Sequence, residues 1–202
     1  MEIFTLTLGY CATNTYIIID SNEAIVVDPA DDGEYIAEFI TSHNAAIKYI
    51  LITHGHFDHI GAARELQKRG ALLYMSETDY NLVDFENRNS IFCAPPDKFL
   101  LDVAVHDGDA FTLIGHTFKV ISTSGHTPGG VCYIMDDKTI FSGDTLFRLS
   151  IGRTDFAYGN RGDLLMSIKK LYELPHDYEV LPGHDRPTTL DYERKNNPYA
   201  RY

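Results

Sequence analysis

With 202 residues, 44% of them hydrophobic and 23% charged, the chain fits one soluble globular domain with a sizeable core. Its net charge of −12 argues against a nucleic-acid partner, since phosphate contacts need clustered Lys and Arg, and no apolar run approaches the ~18 residues of a membrane span. Met1-Glu2-Ile3-Phe4-Thr5 lacks the basic and apolar segments of a signal peptide, and the scattered cysteines Cys11, Cys93 and Cys132 form no CxxC pair, so a reduced, cytoplasmic setting is expected.

In chain order, Ile3 to Leu8, Thr15 to Ile19 and Ala24 to Val27 read as strands, rich in Ile, Val and Thr. Asp20-Ser21-Asn22-Glu23 is turn chemistry and makes the last two a hairpin. Asp31 or Asp32 caps a helix whose apolar positions are Tyr35, Ile36, Phe39 and Ile40. Ile47 to Ile52 is a short buried strand. One helix is expected from about Asp58 to Lys68, closed by Gly70, and a strand from Ala71 to Met75. From Tyr80 to Asp109 the pattern is poor and suggests an excursion or lid. Strands resume at Ala110 to Ile114, Thr117 to Ser122, Val131 to Met135 and Thr139 to Phe141. A helix follows over Asp163 to Glu173, with Leu164, Leu165, Ile168, Leu171 and Tyr172 on one stripe. Tyr178 to Leu181 is a last short strand, and Thr188 to Asn196 a short helix. The order implies mixed α/β layers, with two sheet halves packed together, helices outside and no domain boundary.

Thr53-His54-Gly55-His56-Phe57-Asp58-His59 follows the fourth strand directly. Its four metal-capable side chains, His54, His56, Asp58 and His59, crowd into six residues, too many for one tetrahedral ion. Two ions a few ångströms apart is the economical arrangement. His126, Asp144 and His184 each sit where a strand gives way to a loop, and each is preceded by glycine. His43, His106, His116 and His176 lack partners of this kind, and the cysteines read as small buried hydrophobes rather than nucleophiles.

The run His54, His56, Asp58, His59, followed by His126, Asp144 and His184, resembles the HxHxDH signature and later ligands of the metallo-β-lactamase superfamily over nearly the whole chain. The resemblance implies a four-layer αββα sandwich formed by residues 1–202 as a single domain, with the site at one sheet edge. It implies that His54, His56 and His126 bind one metal, that Asp58, His59 and His184 bind a second, and that Asp144 bridges the two with a hydroxide. The ions are two divalent cations, zinc first, with iron and manganese also suited to His and Asp ligands. Asp58 would also orient the hydroxide as a catalytic residue. Asp28, after the third strand, matches the family's early aspartate and would orient a ligand histidine.

Phe141-Ser142-Gly143-Asp144-Thr145-Leu146-Phe147 and Leu181-Pro182-Gly183-His184 look like the short glyoxalase II-like thioesterases. A full-length glyoxalase II carries a further helical C-terminal domain that supplies basic glutathione contacts, and the resemblance to the short subgroup implies that no such domain is expected here. The expected activity is therefore hydrolysis of a small-molecule thioester of the hydroxyacylglutathione type, with the thiol carrier, acyl group and oligomeric state left open. No nucleic-acid or membrane partner is expected. Persulfide dioxygenases look similar too, through Gly152-Arg153-Thr154-Asp155-Phe156, and they use one iron on the equivalents of His54, His126 and Asp144. Arg153 is a candidate anchor for a substrate carboxylate, and Tyr158 and Phe92 are candidate pocket walls.

Overall fold

Residues 1–87 and 97–199 are described by a computed structural model. Phe92, Cys93 and the Pro-rich stretch at 94–96 lie outside the described residues. The chain runs β1 (Glu2–Leu8), β2 (Thr13–Asp20), β3 (Glu23–Val27), α1 (Gly33–Ser42), β4 (Ala46–Leu51), α2 (Phe57–Ile60), α3 (Ala63–Lys68), β5 (Leu72–Met75), α4 (Glu77–Asn87) and β6 (Val103–Ala104). The second half follows as β7 (Ala110–Leu113), β8 (His116–Ser122), β9 (Val131–Met135), β10 (Thr139–Gly143), β11 (Leu146–Phe147), β12 (Ser150–Ile151), α5 (Arg161–Tyr172), β13 (Glu179–Pro182), β14 (Thr188–Thr189) and α6 (Leu190–Asn196).

Twelve of these strands form two six-stranded sheets, ordered β1-β2-β3-β4-β5-β6 and β14-β13-β10-β9-β8-β7, and β11 and β12 pair as a separate two-stranded ribbon. Side-chain alternation along the central strands builds three apolar layers from them. Ile17, Ile19, Val26 and Ile50 face Ile36 and Ile40 of α1 and Leu66 of α3. Their neighbours Ile18, Ile25 and Leu51 face Phe118, Val120, Tyr133 and Phe141 between the sheets. Ile134, Ile140 and Val180 face Leu164, Ile168 and Leu171 of α5. The architecture is therefore helix, sheet, sheet, helix, and burial of each such side chain contributes about 1.5–3 kcal/mol. The apolar runs Tyr16-Ile17-Ile18-Ile19 of β2 and Ala24-Ile25-Val26-Val27 of β3 are what strands buried on both faces require.

Several details depart from the sequence expectation, among them the short strands β11 and β12 and the start of the last helix, where Thr188–Thr189 is β14. The helix expected over 58–68 is two helices, because the Pro29 carbonyl accepts from Ala62 N (3.0 Å) and the Ala30 carbonyl lies where a side chain at Gly61 would be. The poor-pattern region opens with α4 rather than an excursion, and its Asp79 and Val83 are buried. At its far end β6 adds a strand to the first sheet, pairing with β5. Of the two candidate caps on α1, Asp32 is the one that accepts from Tyr35 N (3.1 Å).

At one end of the sandwich His116 joins the two sheets. Its Nδ1 meets Asp136 at 2.6 Å and its Nε2 meets Asp20 at 2.9 Å. Partial burial would lower the imidazole's pKa, but the two carboxylates outweigh it and raise it, while both carboxyls are held below their usual range. A raised histidine stabilises fully below its unfolded value of about 6.5 and loses its contribution as pH rises through the folded value. The lowered carboxyls contribute above about 4 and lose their contribution in acid. The Tm difference between wild type and His116→Gln is therefore expected to be larger at pH 5.5 than at pH 9. An equal difference at both would leave the clasp without electrostatic weight.

Candidate metal centre

Strand direction brings the site together. β3 and β4 are parallel, so Asp28 and His54, which follow them, emerge at one edge. β10 and β13 are parallel, so Asp144 and His184 emerge together. β8 runs antiparallel to β9, and β9 to β10, so the loop after β8 returns His126 to the same edge. The sheets are joined there by Val131 N donating to Thr53 O (2.9 Å) and Asn14 N donating to Gly183 O (2.7 Å). The glycine before Asp144 has φ +47°, and a side chain on it would strike Thr53. A side chain on Gly183 would lie 2.6 Å from the His59 ring. These two glycines are the cost of packing ligand loops this closely.

All seven candidate ligands converge. His54 Nε2 and His126 Nε2 lie 3.1 and 2.9 Å from His56 Nδ1. His184 Nε2 lies 3.3 Å from Asp58 Oδ2, and His59 Nε2 lies 3.7 Å from the same oxygen. Asp144 stands between the two triads. Its Oδ2 is 3.5 Å from His126 Nε2 and 3.6 Å from His184 Nε2, and its Oδ1 is 3.5 Å from His59 Nε2.

The outer hydrogen bonds determine which ring nitrogens are bare. Thr53 Oγ1 must donate to the Asp28 carboxylate (2.7 Å), so it accepts from His54 Nδ1 (3.1 Å). His126 Nδ1 donates to the Arg153 carbonyl (2.8 Å), and His59 Nδ1 donates to Asp28 Oδ2 (3.0 Å). Each of these three imidazoles, in its neutral form, therefore turns an Nε2 lone pair inward, in the tautomer a metal ligand needs. Asp28 also accepts from Thr53 N (2.7 Å). Asp28, His54 and His59 are themselves close enough to share an ion. The Asp28 oxygens are taken by these donors, so Asp28 orients histidines of both triads instead.

Burial, reinforced by the neighbouring imidazoles, drives the pKa of His54 well below its ordinary value, and burial with His126 beside it brings His56 down to about 3. Burial would lower His59 as well, but Asp58, Asp144 and Asp28 raise it to about 10. Burial would raise Asp58, yet His59, His184 and Thr13 pull it far below the usual carboxylate range. His184 is raised by Asp58 and Asp144 against its partial burial. In the first triad burial thus holds His54 and His56 in the neutral form, and the second is a carboxylate–imidazole cluster. His59 Nε2 and Asp144 Oδ1 are buried without a hydrogen-bond partner. With His59 deprotonated at Nε2, these two atoms fit a cation, and the donor set suits zinc, iron or manganese.

Several supporting residues escaped the sequence reading. The Thr53 hydroxyl is the link between Asp28 and His54. Thr13 Oγ1 donates to Asp58 Oδ2 (2.9 Å), and Asn14 Nδ2 donates to the Pro182 and Asp185 carbonyls (3.1 and 2.8 Å) on either side of His184. Fully buried Glu193 accepts from Leu149 N, Thr188 Oγ1 and Asn197 Nδ2, and so ties α6 to the β11–β12 turn. Phe156 covers the first triad, its ring centroid 5.0 Å from that of His56 and 5.8 Å from that of His126. Arg153 is 61% exposed, pairs with Asp155 (2.6 Å) and lies over the Phe156 ring. Tyr158 is exposed. His43, His106, His116 and His176 belong to neither triad.

A buried cluster of His and Asp at the edge of an αββα sandwich defines a class, and comparison with known proteins agrees. The profile described as metallo-beta-lactamase superfamily matches residues 8–184. The chain belongs to that superfamily. Among curated proteins it is similar to the hydroxyacylglutathione hydrolase GloC of Haemophilus influenzae, 34% identical over 89% of this chain and 88% of the relative. Among solved structures it is similar to the B3 metallo-β-lactamase BLEG-1 (32% identity, TM-score 0.92, 98% and 99% of the two chains). A di-iron-bound form of TTHA1623 is likewise similar (32%, 0.84, 97% and 99%). So is ETHE1 from Myxococcus xanthus (27%, 0.81, 99% and 84%). Among the described residues no helix is long and apolar enough to cross a membrane.

Proposed function

We propose that the chain is a hydrolase that holds two divalent cations and cleaves a small-molecule thioester. One observation carries the reading: the two oxygens of Asp144 face both triads at 3.5–3.6 Å, as a shared ligand must. His54, His56 and His126 would hold one cation, and Asp58, His59 and His184 the other. Cations held there polarise a carbonyl oxygen and lower the pKa of water from ~15.7 toward ~7. Asp58, steadied by Thr13 Oγ1, would orient the attacking water. A leaving thiol of pKa about 8.5 departs as thiolate without a dedicated acid. Similarity to a hydroxyacylglutathione hydrolase supports the thioester.

Elemental analysis paired with a lactoylglutathione assay tests the reading. Two cations per chain with turnover supports it. Two cations with turnover of other thioesters alone would change the carrier and keep the class. A single iron with persulfide-dependent oxygen uptake would overturn it in favour of a dioxygenase, for which Gly152 to Phe156 and the His54, His126 and Asp144 grouping speak. Turnover of a β-lactam and of no thioester would also overturn it.

Arg153 is proposed to anchor a substrate carboxylate at the mouth by exchanging its Asp155 partner for the substrate. Arg153→Ala is expected to raise KM severalfold, about what one exposed ion pair allows, with kcat nearly unchanged. An unchanged KM for every thioester hydrolysed would confine Arg153 to its pairing with Asp155.

A further inference from the structure

Outside the ligand set, a buried carboxylate touches the loops that carry three of the histidines. Asp79, in the first turn of α4, has no solvent exposure. Its Oδ2 accepts from Gly55 N (3.0 Å) and Thr127 Oγ1 (2.7 Å), and its Oδ1 accepts from Gly129 N (2.6 Å). Gly55 separates His54 from His56, and Thr127 follows His126. These loops leave opposite sheets, β4 in the first and β8 in the second. Asp79 is therefore a single acceptor bracketing both chain segments that deliver His54, His56 and His126. The loops are shaped around it. A side chain on Gly129 would lie 2.7 Å from Asp79 Oδ1, and one on Gly55 would lie 3.2 Å from the Asp79 carbonyl oxygen.

We propose that Asp79 is the positioning residue of the His54, His56 and His126 cluster, setting the approach of His126 to His56 and so the affinity of that cluster for its cation. This rests on reading the cluster as a cation site. The carboxylate suits the task because all three of its partners are donors. An amide in its place would set an NH₂ group against at least one backbone N–H in either orientation, leaving a buried donor unmatched. The ligands would stay in the chain, but the loops holding them would no longer share an anchor.

The test is cation affinity, measured on the loaded protein by competition with a chromophoric chelator, together with the visible spectrum of the Co(II)-substituted form. In Asp79→Asn one cation is expected to bind about 10–100-fold more weakly, as when other outer partners of ligands are lost, while the second stays within about twofold. The Co(II) spectrum should change for the weakened site alone. Thr127→Val removes one of the three donors at nearly constant volume, and should weaken the same cation by about 3–10-fold. It decides the matter if Asp79→Asn does not fold. Unchanged affinities, or equal weakening of both cations, would overturn the proposal, the latter marking Asp79 as a general fold contact. Should the wild type hold one cation only, the two-cation reading falls, and the affinity of that cation in the two variants still decides the role of Asp79.

Discussion

Asp28→Asn is expected to weaken both cations together, each by about 10–100-fold, and to lower kcat by about 10²–10⁴. The size follows from the tautomers. Asp28 is the acceptor at the end of two chains of donors, one through the Thr53 hydroxyl to His54 and one directly to His59. An amide whose NH₂ occupies the Oδ2 position donates where the carboxylate accepted. Thr53 then turns its proton onto His54 Nδ1, and both His54 and His59 must place their own proton on the inward Nε2, where a ligand lone pair is required. A serine protease with asparagine in place of its triad aspartate loses activity for this reason. Asparagine also tolerates the left-handed backbone at this position, φ +49°, so the fold survives. Nitrogen-15 NMR of the histidines distinguishes the tautomers directly. Two cations bound at wild-type affinity with unshifted ring nitrogens would reduce Asp28 to a strand-ending turn residue.

The seven side chains that converge were legible because their grammar is local. Four candidates share one hexapeptide, and the other three each follow a glycine at a strand end. The layers were legible because two-sided burial leaves near-continuous Ile and Val runs such as Ile17-Ile18-Ile19 and Ile25-Val26-Val27. What stayed hidden depends on partners distant in the chain. Asp79 receives its donors from positions 24, 48 and 50 residues away, two of them backbone N–H groups that carry no sequence signal. Its helix looked like loop because a carboxylate occupies an inward position where periodicity expects an apolar residue. The break at Gly61 and Ala62 is likewise imposed by the Pro29-Ala30 backbone rather than by a local breaker such as proline. The role of Thr53 is a matter of which way one hydroxyl proton points, and residue identity does not encode that.

Removing the cations should cost the folded state more than any single substitution outside the ligands. A site held at a hundredfold above its dissociation constant stabilises by about 2.7 kcal/mol, so two such sites give about 5 kcal/mol. In a chain of this length that corresponds to a Tm lower by about 10–20 °C after exhaustive chelation. The physical source is visible in the geometry: His54 Nε2 and His126 Nε2 crowd His56 Nδ1 at 3.1 and 2.9 Å, and His59 Nε2 and Asp144 Oδ1 are buried without a hydrogen-bond partner. The shift should depend on pH with a definite sign. Without a cation the neighbouring carboxylates raise the pKa of His59 and His184, so near neutral pH a cation must displace a proton from His59 Nε2. Cation affinity therefore rises with pH, and loading releases protons to the buffer. The protonated His59 meanwhile favours the metal-free folded state most strongly at low pH, which narrows the gap further there. Scanning calorimetry of loaded and chelated protein should thus show a larger Tm difference at pH 8 than at pH 6. A chelated protein that melts with the loaded one at both values would mean that these seven side chains pack as a polar core and hold no ion.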